Sequence, residues 1–135
     1  MTDFSKYIGL KFKHQGRRFD GVDCYGLLAL MLKEEKGIEM PEFEYTLYWH
    51  GEGYNHIADN VYKFKNWGPV KEASRPFDVI LFYSSAFSRD VVNHMGIFIG
   101  DDKFVHVSVL YNSRIDRLNA YWSNRIYAVL RCPFV

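Results

Sequence analysis

The order of patterns along this chain predicts an α+β fold, with a helix first and antiparallel strands after it. Three observations carry the expectation. Around Cys24, apolar residues recur at helical spacing between a capping aspartate and a glycine. After Pro76 the chain turns to short β-branched and aromatic runs. Two of those runs, 94–99 and 103–107, flank Gly100-Asp101-Asp102, which is a hairpin signal. A parallel doubly wound sheet would alternate strands with helices instead.

The helix begins at Asp23 or Asp20, either of which can cap it. Cys24, Leu27, Leu28 and Met31 then fall on one face, and Gly37 stops it. Residues 38–41 leave the helix. A weaker helical pattern runs over 54–64, with Ile57, Val61 and Phe64 on one face and Trp67-Gly68-Pro69 at its end. Beyond Pro76, residues 79–83 read as a strand, 94–99 and 103–107 as a hairpin, and 127–132 as a last strand.

A chain of 135 residues, 48% hydrophobic and 24% charged, suits one globular domain over 1–135 with its own core. The 18% aromatic share fits a strand-rich fold with rings lining its core or cleft. Seventeen basic and sixteen acidic residues leave a charge of +1, and no basic run or stripe emerges, so no nucleic-acid partner is expected. No apolar stretch reaches membrane-spanning length. Residues 1–10 lack the n- and h-regions of a secretory signal, so the expectation is a protein made in a cytoplasm that leaves by another route. Two cysteines, Cys24 and Cys132, make neither a disulfide framework nor a CxxC motif, and no cofactor is expected.

A nucleophilic cysteine needs a lowered thiol pKa, a base within reach and a group to orient that base. Cys24 falls in the first turn of the helix, where unpaired amides and the helix dipole favour a thiolate. Alone this is weak, because a cysteine on a buried helix face is as a rule inert core. The histidines add to it. With a three-residue loop, Gly100 to Asp102, Ile99 faces Lys103 and His106 faces Gly96, which leaves room for an imidazole. His94 and His106 are then diagonal neighbours on one face, about 7–8 Å apart at the backbone. A two-residue loop would put them on opposite faces. Two further readings stay open: each histidine as an ordinary strand residue, or Cys24, His94 and His106 as zinc ligands, at a spacing that matches no common site. Cys132, in an apolar strand, reads as core, and His50 and His56 as loop residues. Tyr45, Tyr48, Trp49 and Tyr54 read as packing first and as a place to seek specificity second.

The segment Asp20-Gly21-Val22-Asp23-Cys24-Tyr25-Gly26-Leu27 resembles the signature of the NlpC/P60 family, in particular its phage-tail branch. Gly37 to Pro41, Pro76-Phe77-Asp78-Val79, Asn93-His94-Met95-Gly96-Ile97, Val105-His106 and Tyr121-Trp122 are similar to further family segments, in the same order. The resemblance implies a papain-like fold with N-terminal helices on a central antiparallel sheet. It also implies a Cys24–His94–His106 triad hydrolysing amide bonds in peptidoglycan stem peptides, next to γ-linked D-glutamate. Tail proteins are implied as further partners and the virion tail as the location, with action at the host cell wall. Asp23 and Tyr25 are the implied substrate contacts, Asp23 also being a helix cap. Three positions depart from the family pattern: Tyr25 replaces a serine, Phe77 replaces a glycine, and Phe12 stands near where many members carry an oxyanion-holding tyrosine. A non-catalytic tail component and an acyl-transferring relative of the same fold are the alternatives.

Overall fold

A six-stranded antiparallel sheet carries the fold, and the helix that starts at Cys24 packs on one of its faces. This computed structural model describes residues 3–40, 67–83 and 92–133. Residues 42–66, with the helical pattern over 54–64 and both His50 and His56, lie outside the described residues, as do Tyr45, Tyr48, Trp49 and Tyr54.

A short 3₁₀ turn, Ser5–Tyr7, leads to a two-stranded ribbon, β1 (Arg17–Arg18) and β2 (Gly21–Val22), and then to helix α1 (Cys24–Lys36). The expected cap is Asp23, whose Oδ1 accepts the Gly26 amide at 2.7 Å. Gly37 closes the helix at φ 67, a left-handed conformation that glycine adopts without strain. Every residue from Tyr25 to Leu32 is buried, not only the face containing Leu27, Leu28 and Met31. The reason is that the helix touches both the sheet, through β5 and β6, and the β1–β2 ribbon. A helix covered on two sides is apolar nearly all round.

The sheet follows: β3 (Gly68–Val70), β4 (Val79–Tyr83), β5 (Val92–Gly100), β6 (Lys103–Ser108), β7 (Tyr111–Arg117) and β8 (Ile126–Arg131), in the spatial order β3-β8-β4-β5-β6-β7. Helix α2 (Ala120–Ser123), capped by Asn119, joins β7 to β8. The α+β expectation holds. Strands β3 and β7 and the β1–β2 ribbon are additions. β3 is only three residues long, and β7 is a polar edge strand, Tyr-Asn-Ser-Arg-Ile-Asp-Arg, without apolar alternation.

The hairpin of β5 and β6 corrects the expected loop. Gly100 pairs with Lys103, so the loop is the two residues Asp101-Asp102, both at positive φ as in a type I′ turn. An irregularity between Phe98 and Gly100 then inserts one residue, and the pairing resumes as Phe98 opposite Phe104 and Ile97 opposite Val105. The two-residue loop alone would have separated the histidines, and the bulge restores their common face. Gly96 makes room for a different ring from the one expected. A Cβ there would collide with the Phe104 ring, not with His106.

The sheet faces are distinct. Val79, Leu81, Met95, Ile97, Val105 and Val107 join the core formed with α1. Ile80, Phe82, Phe98 and Phe104 form a second cluster on the other side, against which Trp122 packs.

Candidate active site

Cys24 opens α1 and is partly exposed. The backbone amides of Cys24 itself, of Tyr25 and of Met95, the residue that follows His94 on β5, act on its thiol in the lowering direction. The start of the helix therefore meets β5 at the predicted histidine. On its other side the helix start lies tight against the ribbon: a Cβ on Gly26 would run into the Gly16 carbonyl, which lies in the loop just before β1.

His94 lies opposite Phe82 on β4. Its Nε2 is 2.7 Å from Nδ1 of His106, so its other nitrogen, Nδ1, is the one left facing away from His106. His106 is fully buried, and its Nε2 lies 2.6 Å from Oδ2 of Asp116 on β7. Arg114 donates from Nε to that same oxygen at 2.9 Å, and its guanidinium lies 3.7 Å from the Tyr111 ring centroid. The Tyr111 hydroxyl is 3.2 Å from His106 Nδ1. Trp122 sits edge-on to His106 at 5.0 Å between ring centroids and tilted over His94 at 5.9 Å, which limits water around the pair.

The electrostatics differ from the sequence expectation at Cys24. Burial pushes the thiol up, the Asp23 charge adds to that, and the three amides oppose it without prevailing. The expected lowering of the thiol is thus not what this environment produces. Burial also pushes His94 down to about 3, with His106 and Arg114 adding in the same direction. His106 is lowered by burial as well, against the opposing pull of Asp116. Burial thus works against the charged form of all three groups.

The two expected substrate contacts sit beneath the surface. Asp23 is buried, with Oδ1 on the Gly26 amide and Oδ2 on the Gln15 amide at 2.8 Å, which makes it the brace of this corner. Tyr25 is core, with the Arg17 guanidinium near its ring. In this structure Asp23 caps the helix and Tyr25 packs in the core. Cys132 is buried core, as its apolar strand suggests. Phe12 is half-buried and bridges to Val22 beside the ribbon. Among the described residues, no three His, Cys, Asp or Glu are arranged to hold a metal ion.

Two neighbours of the histidines escape sequence reasoning. Asp116 is ten residues beyond His106, in a strand too polar to read as one. The register that pairs His106 with Arg114 and Phe104 with Asp116 brings it close. Trp122 stands in the resembling Tyr121-Trp122 pair, but nothing local says that it covers the imidazoles.

Comparison with known proteins places the chain in a family. The chain is 34% identical over 120 residues to the tail tip assembly protein K of Escherichia phage lambda, covering 86% of this chain and 57% of that protein. It is 25% identical over 126 residues to the murein DD-endopeptidase MepS/murein LD-carboxypeptidase of Escherichia coli K12, covering 93% and 57%. The chain thus spans little more than half the length of these relatives. The NlpC/p60 domain of the peptidoglycan hydrolase SagA superposes with a TM-score of 0.62 at 15% identity, over 95% of this chain and 92% of that one, which shows a shared fold. Residues 9–131 match the NlpC/P60 family, and the chain belongs to it.

Proposed function

We propose that this domain is a cysteine peptidase that hydrolyses amide bonds in peptidoglycan stem peptides, next to γ-linked D-glutamate, in the setting of a phage or prophage tail. The observation that carries the reading is the chain His94–His106–Asp116, with the amide of Met95, next to His94, among the groups that act on the Cys24 thiol. Family membership and a relative named as a murein endopeptidase support the substrate class. The relative named for tail tip assembly supports the setting, with tail proteins as partners.

The chemistry follows from the atoms. His94 Nδ1 takes the thiol proton as the sulfur attacks the scissile carbonyl carbon. Burial disfavours a charged thiolate and imidazolium at rest, so proton transfer is taken to accompany the attack. The oxyanion is held by the Cys24 amide at the helix start. His94 then returns the proton to the leaving amine, and a thioester remains. Water, deprotonated by His94, attacks that thioester and releases the carboxylate and the thiol. His106 holds His94 from the far side throughout, the orienting role of a third triad member.

Digestion of purified sacculi and muropeptides, followed by mass analysis of new amine termini, tests this. We expect cleavage by the native chain, none by Cys24→Ala or His94→Ala, and no action on casein. Casein hydrolysis with untouched sacculi would overturn the wall assignment. No turnover of either, with Cys24 still alkylatable, would point to a tail component without activity or to an acyl-transfer reaction.

A further inference from the structure

We propose that Asp116 is a positioning residue that selects the tautomers of both histidines, leaving the lone pair of His94 on Nδ1, the ring nitrogen turned away from His106. For its purpose the proposal rests on the hydrolase reading. For its measurement it does not.

The inference follows from hydrogen-bond roles along one chain of atoms. A carboxylate can only accept. Arg114 donates to Asp116 Oδ2 at 2.9 Å, and His106 Nε2 is 2.6 Å from the same oxygen. A lone pair at His106 Nε2 would face a carboxylate lone pair at that distance, so Nε2 carries the proton. A neutral His106 then has a bare Nδ1. That nitrogen is 2.7 Å from His94 Nε2, which must therefore be the donor. A neutral His94 with its proton on Nε2 has its lone pair on Nδ1.

The opposite assignment shows what is at stake. With His106 protonated on Nδ1, His94 Nε2 would be the acceptor, and the proton of His94 would sit on Nδ1, where it blocks uptake of the thiol proton. Tyr111 does not decide between the two, because a hydroxyl 3.2 Å from His106 Nδ1 can donate or accept. Asp116 breaks the tie. Which ring nitrogen bears the proton is set by the bond the other makes, here through two rings in series.

The geometry also dictates which variants discriminate. Arg114 and His106 converge on one oxygen, so the amide oxygen of Asp116→Asn can take both bonds, whereas Asp116→Ala offers none. Nitrogen-15 spectra of histidine-labelled protein near neutral pH, assigned with His94→Gln, read the tautomers directly. We expect both rings protonated on Nε2 in the native chain and in Asp116→Asn, and a shift of His106 toward Nδ1 protonation in Asp116→Ala. Turnover should fall on the order of 10- to 100-fold in kcat for Asp116→Ala with KM little changed, and much less for Asp116→Asn. Native His106 protonated on Nδ1 would overturn the proposal, as would unchanged tautomers in a folded Asp116→Ala. Equal kcat losses in the two variants would overturn it as well. The spectra stand even if no muropeptide is cleaved, so this proposal and the hydrolase reading can fail separately.

Discussion

At Cys24 two influences on a thiol oppose each other. The start of a helix stabilises a nearby anion by about 0.3–1 kcal/mol, reaching about 2 in partly buried sites. Enclosure in low dielectric can move a pKa by several pH units the other way. Burial and the neighbouring Asp23 prevail here, so the thiol lies above its ordinary range. The sequence shows that Cys24 begins a helix but not how deeply that helix start is packed. Iodoacetamide labelling of the native protein should therefore accelerate with rising pH through and beyond the usual thiol range. Cys24, partly exposed, should label faster than the buried Cys132. A labelling rate already flat in mildly acid solution would instead mean a preformed thiolate–imidazolium pair, against the coupled proton transfer proposed above.

Among the elements, α1 shows how a local preference yields to a tertiary contact. In an exposed helix, Gly→Ala gains about 1 kcal/mol of helix propensity. At Gly26 a Cβ meets the Gly16 carbonyl, a backbone group fixed by the turn into the ribbon. Overpacking of that kind costs about 1–3 kcal/mol. We expect Gly26→Ala to lower the urea midpoint despite the better helix former, and a raised midpoint would refute this account of the close approach. Phe77 shows the same conflict resolved differently. It holds φ 75 where the family pattern has glycine, and its buried ring packs on Phe4. Asp78 helps hold that turn, accepting the Ser74 and Arg75 amides and pairing with Arg131 on β8.

For the whole molecule, buried titratable groups tie stability to pH. His94 has its pKa depressed to about 3 from an ordinary 6.5. The unfolded chain therefore binds more protons than the folded one between those values. The sign follows: stability is fully present above about 6.5 and is lost progressively as pH falls toward about 3. His106, also lowered, acts in the same direction. Asp78 acts at still lower pH. Burial alone would raise its carboxyl, but Arg131 and two backbone amides more than offset that and hold it below the ordinary range. Urea midpoints measured from neutral to mildly acid pH should fall, and His94→Gln should flatten that fall. An unchanged slope in the variant would mean that His94 is not the group responsible.

Local chemistry was enough to read α1, its Asp23 cap and its Gly37 stop, because capping and left-handed closure involve residues within a turn of one another. The strands at 79–83 and 103–107 were legible too, since β-branched and aromatic runs need burial on any sheet. The shared face of His94 and His106 was inferred from a loop of the wrong length, and a bulge between Phe98 and Gly100 supplied the missing residue. No local signal marks such a bulge. Strand β7 and Asp116 were beyond sequence reading because an edge strand tolerates polar residues, and only its register against β6 brings a carboxylate to a buried imidazole. The electrostatics of Cys24 were decided by the tertiary structure for the same reason. A residue's place in a helix is written locally, but its distance from water depends on everything packed around it.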